Sequence, residues 1–329
     1  NNLIGAATGI SAGGACTGDC NLIAGNGSSG IEIGQGTDKS EGINNIVRGN
    51  FIGVNLVGTA AIPNDDNGIT TNGDYNSIIG NLISGNGSAD AFDSAHGVYL
   101  EAGAIGNHVA GNLIGAAIDG STPLGNYDAG VYLNFANENI IGADAVAATG
   151  LRAVPATCTG DCNVILGNRA GISITQAVSP GLNKIIGNFI GVAANGTAPG
   201  NQGNGIFMQG MTMTVAANVI AGNGGNGIEI LGISVGGPLP SNAHVVQGNH
   251  IGVGADGVSQ AGNHGHGILI NRSADNWIGG TAEGQGNIIA YNGYWRDSIY
   301  DGVVITGTNA VNNRILRNYI ALAARRGVN

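Results

Sequence analysis

This chain has almost no lysine: Lys39 and Lys184 are the only two in 329 residues. Charged residues of all kinds make up 10% of it and aromatics 5%. With 21 acids against 11 bases the net charge is -10. No basic stripe is available to meet a phosphate backbone, which excludes a nucleic-acid partner. No run of 18 apolar residues occurs, so no membrane-spanning helix is expected. No stretch combines a 3.6-residue apolar stripe with helix caps, and 62 glycines argue against long helices.

What is present is a repeat nested inside a repeat. The short unit is a Gly, an apolar-x-apolar triplet, a loop, then Asn-x-Ile and Gly-Asn. It is clear at Gly30-Ile31-Glu32-Ile33, Gly97-Val98-Tyr99-Leu100, Gly130-Val131-Tyr132-Leu133, Gly171-Ile172-Ser173-Ile174 and Gly227-Ile228-Glu229-Ile230. The long unit spans about 137 residues: Asn2, Asn139 and Asn276 each open an Asn-x-Ile-Gly at that spacing. Four short units fill one long unit, about 34 residues per turn, a period that means stacked modules. The long units run over about 2–138, 139–275 and a partial 276–329. Both ends fall within a repeat, so the chain reads as one continuous solenoid taken from a longer repeat protein.

The alternation in Ile31-Glu32-Ile33 marks a short strand with one buried face. Asn-x-Ile segments such as Asn21-Leu22-Ile23 and Asn76-Ser77-Ile78 read as a second strand type. Short strands turning at fixed Gly and Asn corners predict an all-β, right-handed parallel β-helix of about 9–11 coils, each rising about 4.8 Å. Corner asparagines are expected to form ladders between coils. The Gly-Asn-x-Ile-Gly strings at Gly49-Asn50-Phe51-Ile52-Gly53, Gly111-Asn112-Leu113-Ile114-Gly115 and Gly187-Asn188-Phe189-Ile190-Gly191 carry a family likeness. In them the chain resembles the right-handed parallel β-helix repeat family, the pectin-lyase-like superfold, and Gly/Asn-rich bacterial extracellular surface proteins. That resemblance implies architecture; the superfold hosts lyases, hydrolases, adhesins and fibres alike.

Cys16-Thr17-Gly18-Asp19-Cys20 recurs as Cys158-Thr159-Gly160-Asp161-Cys162, one long unit later. Four coils, roughly 19 Å, separate the copies, too far to bridge. Two local disulfides, Cys16–Cys20 and Cys158–Cys162, are expected, and with them an oxidising, extracellular or cell-surface setting. A metal site on these cysteines lacks a nearby His.

Three places could carry chemistry. Gly265-His266-Gly267 matches a string of polygalacturonase-like enzymes, but the Asp pair and Arg-x-Lys that accompany it there are missing around it, and His266 falls on an ordinary corner-Asn position. Asp65, Asp66, Asp93, His96 and Asp128 lie just before or near the corner glycines Gly68, Gly97 and Gly130, and gather on three adjacent coils. Carboxylates on adjacent or alternate coils stand roughly 5–10 Å apart, the separation glycosidases use. Such a cluster could also take Ca²⁺ through oxygen ligands; solvated loop acids are the plainer reading. The third place is an aromatic loop with Tyr294, Trp295 and Tyr300, suited to a sugar ring or a protein contact.

The middle residues of the triplets should face outward. Tyr99, Tyr132, Phe207, Leu269 and Val304 are among them, too apolar for a solvated sheet face. Charge is also lopsided: residues 1–150 hold 14 acids and 2 bases, and residues 151–329 hold 7 acids and 9 bases. The regularity, the outward stripe and the open ends favour a structural or adhesive protein that self-associates into a fibre, sheath or surface layer. The alternatives are a carbohydrate-active enzyme, a polysaccharide lyase or glycoside hydrolase, and a non-catalytic module binding cell-surface glycan.

Overall fold

The computed structural model describes residues 1–10, 13–34, 41–87, 94–143, 154–180, 182–232, 243–293 and 300–321. Over these residues the chain winds into a parallel β-helix with no helical element. Each full coil contributes one short strand to each of three parallel sheets of ten, ten and nine strands. The first sheet runs from Leu3–Gly5 to Arg314–Leu316, the second from Leu22–Ile23 to Tyr319–Ile320, and the third from Ile31–Ile33 to Val303–Thr306. Register is kept from coil to coil: Ile31 pairs with Ile69, Ile69 with Val98 and Val98 with Val131.

The Asn-led strands are two sheets, not one strand type. Ser77–Ile79 belongs to the first sheet and Leu82–Ile83 to the second, and Gly80-Asn81 turns the corner between them. Gly80 sits at φ 62, the left-handed region that L side chains enter at a cost. A single hydrophobic pattern conceals that corner, because both strands point the same kind of residue inward.

Alternate residues of the triplets explain the core. Ile31 and Ile33 are buried while Glu32 is exposed. Stacked Ile, Val and Leu side chains form one continuous column of core down the coil interior, from Ile31 to Ile289. Smaller apolar clusters lie on the flank. Phe51, Val54, Leu82 and Ile118 pack with Cys16 and Cys20 against them. Cys158 packs in the same manner beside Phe189, Val192 and Val219. Both local disulfides are present, with Cα atoms 5.3 and 5.2 Å apart, so each closes a loop that covers a flank cluster.

Three asparagine ladders fasten the corners. In the one preceding the second sheet, Asn50, Asn81, Asn112, Asn163, Asn188 and Asn218 each receive both the backbone N–H and the side-chain Nδ2 of a neighbouring coil on Oδ1, or pass theirs on, at 2.8–3.1 Å. These amides are buried, and each left unpaired would cost about 1–3 kcal/mol. The ladder preceding the first sheet is interrupted once. Met213 and His244 stand where asparagines stand elsewhere, both fully buried. Neither ring nitrogen of His244 completes a hydrogen bond. The Gly210 carbonyl lies near enough to favour its charged form, yet burial dominates and holds its pKa down to about 4.

Candidate functional site

The outward face of the third sheet gathers ionisable and aromatic side chains. Its strands Ile31–Ile33, Ile69–Thr71, Val98–Leu100 and Ala129–Asn134 lie side by side. The outward column across them reads Glu32, Thr70, Tyr99, Tyr132. Just before each strand, at the turn into the sheet, a second column reads Asp66, Ala95, Asp128, Arg169, each two residues ahead of the glycines Gly68, Gly97, Gly130 and Gly171; the N–H of Asp128 donates to the Ala95 carbonyl and that of Arg169 to the Asp128 carbonyl. Asp66 and Asp128 therefore stand on alternate coils, with the buried Ala95 on the coil between them.

His96 fills the middle of this arrangement. Its backbone N–H donates to Asn67 Oδ1 at 2.8 Å, and its Nδ1 accepts the N–H of Ala129 at 3.2 Å. An Asp128 oxygen lies 3.9 Å from the same Nδ1. The imidazole packs on Tyr132, with ring centroids 4.5 Å apart, and beside Tyr99 at 5.5 Å. The two tyrosines stack on each other at 5.4 Å, nearly parallel. Burial holds the His96 pKa down to about 4, so the ring is neutral at pH 7 and its proton sits on Nε2.

The carboxyls around it are pushed the other way. Burial raises Asp66, although the Ser29 hydroxyl donates to its Oδ2 at 3.4 Å, and the negative charge of Glu32 adds to the rise. Burial also raises Glu101, with Glu32 and Asp66 contributing. Asp128 is raised by burial against the pull of Arg169. Tyr99 is raised by burial too, and its hydroxyl accepts a 2.8 Å bond from Asn134 Nδ2. Glu32, Asp66 and Glu101 thus influence one another around an aromatic platform, with Asp128 and Arg169 at the margin.

Of the residues singled out by sequence, Asp66, His96 and Asp128 converge here. Asp65 is exposed at the turn beside them. Asp93, Tyr294 and Trp295 lie outside the described residues. Tyr300 is exposed near the far end of the same face. Phe207, Leu269 and Val304 continue the outward column and are half-buried. Sequence reasoning missed Glu101, Arg169 and Asn134. Glu101 directly follows the triplet Val98–Leu100, and Arg169 stands two residues before Gly171 as Asp128 does before Gly130; that spacing was the available signal. Among the described residues no three His, Cys, Asp or Glu side chains form a set that could hold a metal, so the Ca²⁺ suggested by the sequence has no ligand set there. An apolar groove lined by Val253, Val258, Ile288, Tyr291 and Tyr319 lies elsewhere and presents no carboxylate.

No known family model matches this chain, and no curated protein matches it. Among solved structures it is similar to the periplasmic alginate epimerase AlgG, at 15% identity over 84% of this chain and 45% of that one, with a TM-score of 0.44. Two mutants of the same epimerase give 14% identity with TM-scores of 0.44 and 0.45. The chain spans less than half the length of those proteins. A likeness this distant says nothing about chemistry.

Proposed function

We propose that this protein is a carbohydrate-active enzyme that hydrolyses glycosidic bonds between Asp66 and Asp128 on the outward face of the third sheet. The observation that supports it is the column Asp66–Ala95–Asp128. Two carboxyls on alternate coils are two rises apart, roughly 10 Å at the backbone, close to the ~6.5–9.5 Å used by inverting glycosidases. Tyr99 and Tyr132 offer flat faces on which a pyranose stacks. A buried carboxyl that keeps its proton to higher pH serves as the general acid, and the partner carboxylate activates water on the opposite side of the ring.

In this scheme Asp66 is the acid. It is raised by burial and by the charge of Glu32, against the Ser29 hydroxyl and the Asn67 backbone N–H that favour its charged form. Asp128 is the base, with Arg169 favouring its ionised form. Neutral His96 orients the sugar through Nε2–H. The acidic surroundings repel a polyuronate, so the substrate is a neutral polysaccharide. The two disulfides fit an oxidising, extracytoplasmic compartment, and we place the enzyme outside the cell or in a periplasm.

The test is release of reducing ends from soluble neutral polysaccharides (xyloglucan, galactomannan, mixed-linkage β-glucan). Asp66→Asn and Asp128→Asn should each lower the rate by a factor of about 100 or more while leaving the circular dichroism spectrum intact. The product anomer, read by NMR, should be inverted. A full set of inactive substrates, or variants as active as the parent, overturns the proposal.

A second reading is favoured by one observation, the half-buried apolar column Phe207, Leu269 and Val304 on an otherwise outward face. In that reading copies pack laterally through the column into a surface layer or fibre. Negative-stain images showing filaments that vanish in Leu269→Asp would support it; monomeric rods at high concentration would remove it.

A further inference from the structure

The arrangement around His96 occurs a second time on the same face. His266 occupies the register position of His96, immediately before the glycine that opens its strand, here Ile268–Asn271. The backbone N–H of His266 donates to Asn226 Oδ1 at 2.8 Å, as that of His96 does to Asn67. Its Nδ1 accepts the N–H of Asp301 from the next coil at 3.0 Å, as Nδ1 of His96 accepts that of Ala129. An Asp301 carboxylate oxygen lies 4.0 Å from this Nδ1, against 3.9 Å for Asp128 and His96. A tyrosine ring, Tyr300, meets the imidazole edge-on at 5.0 Å, where Tyr132 meets His96 at 4.5 Å.

The recurrence is not a copy made by the long repeat. An offset of 137 residues carries His266 onto Ala129, not onto His96. The second His, Asp and Tyr therefore arise from three positions that the repeat does not supply. They are also open: the side chains of His266 and Asp301 are 19% and 62% exposed, against 4% and 27% for His96 and Asp128. Among the described residues Asp301 has no second carboxyl in its own turn column, which reads Asn204, Asn226, His266 before it reaches Asp301, nor in the column beside it, which reads Gly203, Gly225, Gly265, Tyr300. The set has the parts for binding a sugar and lacks the opposed pair for cleaving one.

Between the two sets the face is continuous. The outward column passes from Tyr132 through Ser173, Phe207 and Glu229 to Leu269. The Glu229 carboxylate accepts the side-chain amides of Asn204 at 2.8 Å and Asn226 at 3.3 Å, which holds the polar edge of this track in place. Five coils separate His96 from His266 in the strand order of the sheet, about 24 Å along the axis.

We propose that His266, Tyr300 and Asp301 form a second, non-cleaving sugar subsite that receives the same neutral polysaccharide chain as the Asp66–Asp128 pair, so that one chain lies along the third sheet. This rests on the carbohydrate reading. The Tyr300 ring covers a pyranose face, His266 Nε2–H donates to a hydroxyl, and the Asp301 carboxylate accepts from another. Two linked subsites on one chain multiply affinity through effective concentration once the ligand is long enough to span both.

The experiment is isothermal titration of the whole protein with graded oligosaccharides and with the parent polymers of xyloglucan, galactomannan and mixed-linkage β-glucan. The parent protein should show a rise in affinity where the oligosaccharide becomes long enough to span five coils. In His266→Asn and in Tyr300→Ala that rise should disappear, weakening polymer binding about tenfold, the loss expected for removing one central contact. His266→Asn restores the residue found at Asn67, Asn204 and Asn226, so it keeps the fold even if the tyrosine variant does not. If both variants retain the length-dependent rise while Tyr132→Ala abolishes binding, the subsite is wrong and the carbohydrate reading stands. If the parent protein binds none of the polymers, the carbohydrate reading fails and the subsite with it.

Discussion

His96 Nδ1 accepts the backbone N–H of Ala129, 3.2 Å away on the next coil. Because a ring nitrogen that accepts cannot carry the proton, this bond assigns it to Nε2. His96→Asn places the residue of Asn67 and Asn204 in the column and removes the imidazole donor. Cleavage of the neutral polysaccharide is expected to fall roughly 10- to 100-fold, with little change in melting temperature. A reducing-sugar assay beside a thermal melt checks it, and undiminished turnover would separate His96 from the reaction.

The clustered acids give a stability prediction whose sign follows from their shifts. Glu101 has a raised pKa in the folded chain, from burial first and then from Glu32 and Asp66. The folded state then binds more protons than the unfolded one around that pKa, so stability is present in acid and lost as pH rises through the folded value. Glu101→Gln removes the loss. Its melting temperature should exceed the parent's at pH 7 and coincide with it in acid, where the parent carboxyl is already protonated.

His244 acts in the opposite direction. Its folded pKa of about 4 lies below the ordinary histidine value near 6.5. The unfolded chain therefore binds the proton first as pH falls, and stability present above about pH 6.5 drains away towards pH 4. His244→Asn puts an amide back into the ladder, where the residue at this position already donates its N–H to Asn276 Oδ1 at 3.2 Å. The variant should melt higher than the parent at pH 4.5 and show a flatter profile between pH 4 and 7. An unchanged slope would mean that His96, with the same depressed value, supplies the whole effect.

Gly115 tests the coil spacing. It has φ 77, and a Cβ there would stand 2.2 Å from the Leu166 carbonyl oxygen of the next coil. Gly115→Ala must push two coils apart and should cost more than about 3 kcal/mol in denaturant titration. Gly120 has φ 68 but open space, its nearest neighbour being a Leu113 methyl at 3.5 Å. Gly120→Ala should cost only the left-handed backbone penalty, about 1–2 kcal/mol.

Much of this molecule is legible in its sequence. The Ile31-Glu32-Ile33 alternation announced which side chains enter the core, and the Cys16–Cys20 spacing announced a local bridge. Asp66, His96 and Asp128 could be grouped because each stands just ahead of a corner glycine. Glu101 and Arg169 stand at equally regular positions, yet nothing local distinguishes them from solvated charges. Their importance comes from how much water their neighbours exclude, which is a property of the stacked coils. Nor did the long repeat reveal the second His–Asp–Tyr set, because its members do not follow the 137-residue offset.

The amino-acid sequence alone determined the winding: period-two triplets, corner glycines and stacking asparagines permit one kind of coil, since each residue type satisfies a backbone or packing demand that recurs every turn. The tertiary structure alone decided what meets on the outside. Gly68, Gly97, Gly130 and Gly171 are 29, 33 and 41 residues apart, and loops of such unequal length leave register untouched while changing which turns are crowded. Only the stacked coils bring Asp66 and Asp128 to either side of Ala95 and shield His96 beneath Tyr132, and that proximity and loss of solvent set their protonation.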